Sequence, residues 1–304
     1  MPYDSVVCVK QVPDTANVTA DAMKEDGTVN RAALPTIFNP EDLHALEVAL
    51  EIKDLYGGKV TAISMGPPKA ADVLRDCLFR GADRAILITD RRAAASDTLA
   101  TSYILSQAVR TVGKFDFVFC GRQAIDGDTA QVGPQCAEKL GIPQVTYLER
   151  LVSLHDNVVR IRRNIGHGWE VVETGLPLLV TVLETANQPR PPSSKRVMRL
   201  KKARVMAELN NEVKNDLPAA AEDQIQAEAN RRADALKQQG LLIEQWNLDD
   251  IHADLSRCGM TGSPTKVHRI QAIVLKKEGY TDIPPTEAGV RQLIHELVID
   301  RTLG

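Results

Sequence analysis

Residues 115–140 read FDFVFCGRQAIDGDTAQVGPQCAEKL, and their order decides the fold. Phe115, Phe117, Val118, Phe119 and Cys120 make an almost unbroken apolar run, the pattern of a strand buried on both faces, as parallel strands are. Gly121 ends the run, and a polar loop with Arg122, Gln123, Asp126, Gly127, Asp128 and Thr129 follows. From Ala130, Gln131, Val132, Gly133 and Pro134 to Leu140 the residues predict a helix, with Asp128 or Thr129 as N-cap and Gly141-Ile142-Pro143 as its stop. A strand, a small-residue loop and a helix start bring backbone N–H groups and the positive end of a helix dipole to the carboxyl edge of a sheet. Nucleotide phosphates bind at such edges. The loop is neither Gly-x-Gly-x-x-Gly nor a P-loop, so on these residues alone a plain, well-capped crossover stays open as the other reading.

Upstream the same alternation recurs. Ser5-Val6-Val7-Cys8-Val9 is a buried strand, and Pro13 and Asp14 open a loop beyond Lys10. Asn39 and Pro40 start a helix with Glu41 and Asp42 in its first turn, and Leu43, Leu46, Leu50 and Ile52 mark its apolar side. A second strand runs to Ser64 and is ended by Met65-Gly66-Pro67, where Gly66 lets a backbone approach an adenine or ribose closely. A helix over residues 70–81, a strand over 84–89 and a helix capped by Ser96 or Asp97 follow, the last bearing Thr98 and Thr101. Strand and helix alternate throughout, which predicts a doubly wound, mostly parallel, Rossmann-like α/β sheet. Its ligand edge carries the loops after Val9, Ser64 and Cys120.

Downstream of Gln144 the segments shorten. Residues 145–148, 157–162, 169–173 and 178–182 read as antiparallel strands added to the sheet, with Gly166-His167-Gly168 as a turn. Residues 187–198 form a Pro-rich, basic, exposed linker, and residues 218–239 a polar helix. Val290, Leu293, Ile294, Leu297 and Val298 line an amphipathic helix near the end, which either docks on another subunit or packs back on its own domain. These shifts divide the chain into an α/β nucleotide-binding domain over residues 1–204 and a C-terminal extension or arm over 205–304.

Composition narrows the classes. With 304 residues, 43% hydrophobic and 25% charged, the chain has an ordinary globular make-up and can bury a sizeable core. A net charge of −3 leaves no basic excess for nucleic acid. Cys8, Cys77, Cys120, Cys136 and Cys258 are scattered without a Cys-x-x-Cys pair, so neither a disulfide framework, a zinc site nor an iron–sulfur cluster is expected. No apolar run approaches 18 residues and no signal pattern opens the sequence, so no membrane span and a cytoplasmic location are expected.

The wording of the loops carries more than their pattern. Gln123-Ala-Ile-Asp-Gly-Asp-Thr-Ala-Gln-Val-Gly133 resembles the nucleotide loop of electron-transfer flavoprotein β-subunits. So do Cys8-Val-Lys-Gln-Val-Pro-Asp14, Asn39-Pro-x-Asp42, Asn187-x-Pro-Arg190 with Lys201-Lys202, and Gly262-Ser-Pro-Thr265, in the family's order. The family usually has an acidic residue and Gly-Gly where Gly166-His-Gly168 stands, a local departure.

The resemblance implies a β-subunit that pairs with an electron-transfer flavoprotein α-subunit. It implies a cofactor held by Cys8, Val9, Lys10, Asn39, Asp42, Ser64, Met65, Gly66, Thr98, Thr101, Gly121, Gln123 and the residues from Asp126 to Pro134. Together with Val29-Asn30-Arg31 and Asp97-Thr-x-Ala-Thr101, these motifs resemble the class whose β-subunit binds FAD, takes hydride from NADH and bifurcates its electrons; the alternative class holds AMP as a structural element. In either case the cofactor carries the chemistry, and no residue is expected to act as a catalytic acid or base. Asp126 and Asp128 fall to capping or ribose hydroxyls, and the phosphates to backbone N–H groups from Gly127 to Val132 and the Thr129 hydroxyl.

Pro189, Arg190, Ser194, Lys195 and Met198 match the family's partner-recognition loop. Ser194 replaces the leucine that anchors the acyl-CoA dehydrogenase in mammalian-type members, so that particular docking does not carry over. An acyl-CoA dehydrogenase or another flavin-, quinone- or ferredoxin-linked redox partner is expected. The rival from another class is a stand-alone nucleotide-hydrolysing or adenylating α/β enzyme, which lacks its Ser-Gly-Gly-x-Asp and His-x-Gly-His motifs here.

Overall fold

The computed structural model describes residues 1–14, 34–266 and 282–299. Strand β1 (Ser5–Cys8) buries all four of its residues, which only a strand covered on both faces can do. Short strands β2 (Gln11–Pro13) and β3 (Thr36–Phe38) pair antiparallel beside it as a separate ribbon. Then α1 (Pro40–Tyr56), β4 (Val60–Met65), α2 (Ala71–Arg80), β5 (Arg84–Ile88), α3 (Thr98–Val112), β6 (Phe117–Gly121) and α4 (Val132–Leu140) alternate. The strands β7 (Gln144–His155), β8 (Val158–Asn164), β9 (Trp169–Gly175) and β10 (Leu178–Val182) follow. The rest comprises α5 (Ser194–Leu200), α6 (Met206–Asp216), α7 (Glu222–Gln238), β11 (Glu244–Trp246), α8 (Gly259–Gly262) and α9 (Glu287–Ile299).

Nine strands form one sheet in the order β11-β5-β4-β1-β6-β10-β7-β8-β9. From β11 to β7 every pairing is parallel, and β8 and β9 continue antiparallel. This is the doubly wound, mostly parallel architecture with antiparallel strands added at one edge. Central strands divide their side chains between two cores. Phe117 and Phe119 of β6 join residues of α1 and α2, whereas Val118 and Cys120 join residues of α3 and α4. Burying a Val or Phe contributes roughly 2 kcal/mol, and burial on both faces leaves room for few polar residues, here small hydroxyls such as Ser5, Thr61 and Thr181. The unbroken apolar runs follow from that.

The chain winds from β1 outward through β4 to β5, then returns to place β6 on the other flank of β1. The winding direction therefore reverses between β1 and β6, and the loops leaving their carboxyl ends diverge into a crevice.

Several expectations are corrected. Residues 178–182 do not add an antiparallel strand: β10 runs parallel between β6 and β7, and its five buried residues carry no alternation, the mark of a strand covered on both faces. Helix α4 starts at Val132 rather than Ala130, without a side-chain cap. Asp128 and Ala130 adopt φ of 50° and 53°, left-handed values that no α-helix accommodates, so neither Asp128 nor Thr129 caps it. Residues 11–13 form β2 where a loop was expected.

Helix α6 precedes the expected polar helix, and the two share a small core of Leu209, Val213, Ile225, Ala229 and Ala233. After them β11 extends the sheet along β5, its Glu244 in a two-pronged ion pair with Arg84. Leu248, Ile251 and Cys258 then enter the core under α3. On α9, Val290, Ile294 and Val298 are exposed. The Val29-Asn30-Arg31 motif and the stretch around it lie outside the described residues.

Candidate functional site

Helix α1 begins at the crevice, and its first residues hold both loops. Asn39 sits at the N-cap, yet its side chain caps nothing. It donates to the Gln123 carbonyl at 2.8 Å and accepts from Ile125 N at 3.1 Å. Glu41 accepts from Gln123 N at 2.9 Å and pairs with Arg122 at 2.7 Å. Asp42 accepts from Lys10 N at 2.9 Å on one carboxylate oxygen and from Gly121 N at 3.0 Å on the other. The Asn-Pro-x-Asp motif thus ties the loop after β1 to the loop after β6. Glu41 is a part of this tie that the sequence reading counted only as a dipole-favoured anion.

Burial of the Asp42 carboxyl raises its pKa to about 7, against the pull of the Gly121 and Lys10 N–H groups, the Asn39 amide and the Lys10 charge. Gly121 is required at its place: a Cβ there would lie 2.5 Å from the Asp42 carboxylate. Cys8 and Cys120 are register partners on β1 and β6, both buried. The hydrogen bond with Cys8 and then burial push the Cys120 thiol well above its ordinary value, so it is an inert core group. Val9, also buried, donates its N–H to Ile63.

Across the crevice mouth the Lys10 ammonium meets both oxygens of Asp126, at 2.7 and 2.8 Å. Asp126 therefore answers a cation, and Asp128 accepts from the Gln123 amide at 2.9 Å. Gly127, Asp128 and Thr129 are exposed, and a Cβ on Gly127 would meet nothing within 4 Å. Left-handed residues at 128 and 130 fold the loop back on itself, and Gly127 N and Asp128 N both donate to the Ala124 carbonyl, at 3.1 and 2.9 Å. The loop ends on α4, whose first turn leaves N–H groups without intrahelical acceptors; the first helical bond runs from Gln135 N to Gln131 O. Gly133 lets α4 sit on β10, since a Cβ there would lie 2.8 Å from the Thr181 methyl group.

Met65 and Gly66 close β4 at the same edge, with Gly66 N bonded to the Ile88 carbonyl at 3.0 Å. The buried Ser64 hydroxyl has no partner among the described residues. Helix α3 joins the site through Thr98, whose hydroxyl donates to the Gln131 amide oxygen at 2.8 Å, and through Ser102, bonded to Gln135 at 3.1 Å. Thr101 lies one turn into α3, half-buried.

Sequence reading did not foresee that two motifs far apart form one junction. Asp97 caps α3 through Ala100 N at 3.0 Å and also accepts from Thr265 N at 3.0 Å, while its own N–H donates to Ser263 Oγ at 2.8 Å. Burial pushes the Asp97 carboxyl up, but the donors from Ala100, Thr265 and Leu99 outweigh it and hold the group below its ordinary value. The Gly262-Ser-Pro-Thr element thereby secures the start of α3 beside Thr98.

The partner-loop residues separate. Arg190 is engaged within the chain, by Glu47 at 2.9 Å and Asp54 at 2.8 Å, because the carboxylate of Glu47 is nearly buried and needs a cation. Pro189 is half-buried, and the expected exposed linker becomes α5 from Ser194 onward. There Ser194, Lys195 and Met198 face solvent. Farther along the same sheet edge, a cavity of about 610 Å³ is lined by Arg122, Tyr147, Arg163, Asn164, Gly166 and Leu183. Its guanidinium groups are engaged, Arg122 by Glu41 and Arg163 by Glu170 and Thr146.

The arrangement offers an open crevice with backbone donors, one ammonium and two helix N-termini. It suits an adenine nucleotide better than a substrate needing acid–base catalysis. Residues 26–208 match the electron transfer flavoprotein domain. The chain is 40% identical over 292 residues to the electron transfer flavoprotein subunit beta of Clostridium acetobutylicum, covering 96% of each chain. It is 39% identical to the corresponding subunit of Megasphaera elsdenii, over 98% of this chain and 99% of that one. It is 40% identical to the caffeyl-CoA reductase–Etf complex subunit CarD of Acetobacterium woodii, over 87% of this chain and 86% of that one.

Proposed function

The chain belongs to the electron transfer flavoprotein family, with β-subunits among its relatives, and from that premise we propose that its crevice binds FAD and accepts electrons from NADH. The observation that carries the reading is the switch-point crevice between β1 and β6. Its loop turns on left-handed Asp128 and Ala130 and delivers α4 with its N-terminal N–H groups to one place. An FAD pyrophosphate is read there: the backbone N–H groups from Thr129 to Val132 and the Thr129 hydroxyl donate to it, those of Gly127 and Asp128 being spent on the Ala124 carbonyl, and the Lys10 ammonium supplies its counter-charge. Gly66, at the carboxyl end of β4, gives the adenosine a surface without a side chain. Cys8, Val9, Asn39, Asp42, Ser64, Gly121 and Gln123 then serve as the walls and ties of the site, and Thr98, Thr101 and Gln131 as its far side.

When bound, the flavin supplies hydride acceptance and one-electron donation. This chain orients it, excludes water from one face and sets the charge around it. AMP would use the same phosphate and adenosine positions, which is why AMP stands as the second reading.

In this proposal the partner is an electron-transfer flavoprotein α-subunit, and the exposed apolar side of α9 belongs to the arm that docks on it. Residues 1–204 and 205–304 remain the proposed division into nucleotide-binding domain and extension, with residues 205–263 contributing β11 and the Asp97 junction to the first part. The onward acceptor is an acyl-CoA dehydrogenase or another flavin-, quinone- or ferredoxin-linked protein, met partly through Ser194, Lys195 and Met198. The name of the Acetobacterium relative, subunit of a CoA-thioester reductase complex, supports this. The cytoplasm is the proposed compartment, supported by five buried, unpaired cysteines. No helix among the described residues is long and apolar enough to cross a membrane.

Anaerobic mixing of the αβ complex with NADH tests the reading. The flavin absorbance is expected to bleach within the mixing time. Replacing Thr129 and Gln131 together by leucine should abolish bleaching and leave the α-subunit flavin bound. A wild-type complex that carries two flavins and ignores NADH overturns the NADH step.

A further inference from the structure

Asp42 is a buried charge-bearing group of the crevice. Its carboxylate accepts from the backbone N–H groups of Lys10 and Gly121, and no ion pair joins it to a cation among the described residues. The Lys10 ammonium has turned away to Asp126 at 2.7 Å, and the neighbouring Glu41 is matched by Arg122 at 2.7 Å. The Asn39 amide also acts on it, and the thiols of Cys120 on β6 and Cys77 on α2 feel its charge. A carboxylate in this position holds the roots of both loops, and among the described residues the cation acting on it is Lys10, whose ammonium is bonded to Asp126.

We propose that Asp42 is the positioning residue through which nucleotide binding is linked to proton uptake: its carboxyl fixes the two loops that flank the ligand, and an anionic ligand between those loops favours the protonated carboxyl. The inference rests on the reading of this crevice as the FAD site. Two physical effects act in the same direction. A pyrophosphate brings negative charge into the low-dielectric edge of the sheet, which disfavours a second negative charge nearby. It also competes with Asp126 for the Lys10 ammonium, whose remaining attraction helps to keep Asp42 ionised. Burial already places this carboxyl at about 7, so near neutral pH a small further rise converts into measurable proton uptake. FAD affinity is therefore expected to weaken above neutrality, approaching about tenfold per pH unit where one full proton is linked.

The experiment uses the full αβ complex, with its α-subunit flavin in place and the β-site emptied. FAD is titrated calorimetrically between pH 6.5 and 8.5, in two buffers of different ionisation enthalpy. Wild type should take up a fraction of a proton, on the order of one half near pH 7.5. Asp42→Asn, a permanently neutral group at this place, should bind FAD with no uptake and a flat pH profile. Uptake that persists in Asp42→Asn overturns the proposal and leaves the FAD reading standing. So does wild-type binding that is independent of pH across the range, a result that needs no variant to fold. Failure of the wild-type β-site to take FAD at all overturns both.

Discussion

Replacing Asn39 by alanine isolates the tie between α1 and the loop after β6. Asn39 is fully buried, and its amide serves two backbone groups of that loop, the Gln123 carbonyl and Ile125 N. It makes no side-chain cap bond, so losing it carries no capping penalty. Alanine leaves one acceptor and one donor without partners. Each such loss costs about 1–3 kcal/mol when water is excluded, and the low end applies because residues 123–125 are only half-buried. The sum is about 2 kcal/mol, which corresponds to roughly thirtyfold easier local opening. Hydrogen exchange on the αβ complex reads it directly: peptides spanning residues 121–131 should exchange roughly thirtyfold faster, with β4 and β5 unchanged. Asn39→Asp should be worse, because a carboxylate would face the Gln123 carbonyl and add charge beside Asp42. Unchanged exchange in residues 121–131 of Asn39→Ala would refute the claim that this side chain holds the loop.

Gly127→Val should lower the FAD content of the complex from two toward one while its melting temperature stays within a few degrees, because a Cβ at Gly127 meets no protein atom within 4 Å; full flavin occupancy would place the cofactor away from this loop. The raised pKa of Asp42, from 3.8 to about 7, makes the folded state bind its proton more tightly than the unfolded state does. Its contribution to stability is therefore complete below about pH 4 and is lost as pH rises through about 7. Between pH 5 and 8 wild type should lose about 3 kcal/mol more than Asp42→Asn in urea denaturation, at about 1.4 kcal/mol per pH unit, and equal losses would contradict the assignment.

What could be read in advance follows from how local each signal is. β1, β4, β5 and β6 were legible because burial on both faces writes an apolar run. The start of α4 was not, because Ala130 gives no hint of its φ of 53°. β11 is three residues long, too short for any periodicity, and is recruited by pairing with β5 and by the Arg84–Glu244 ion pair. Residues 178–182 carry no alternation, which marks burial on both faces but carries no sign of strand direction. The site was legible as chemistry and less so as geometry. Asn39, Asp42, Asp126 and Asp128 all stand at the crevice, yet within the chain they bond to its loops. The Asp97–Ser263 contact joins residues 166 apart, and no local pattern foretells it.

The central claim, FAD in the crevice between β1 and β6, is tested most directly by releasing and counting the nucleotides of the purified αβ complex. Acid extraction followed by chromatographic separation gives FAD and AMP per complex in one run. The account predicts two FAD and no stoichiometric AMP, falling to one FAD in the Gly127→Val variant. One FAD with one AMP in the wild-type complex would contradict it.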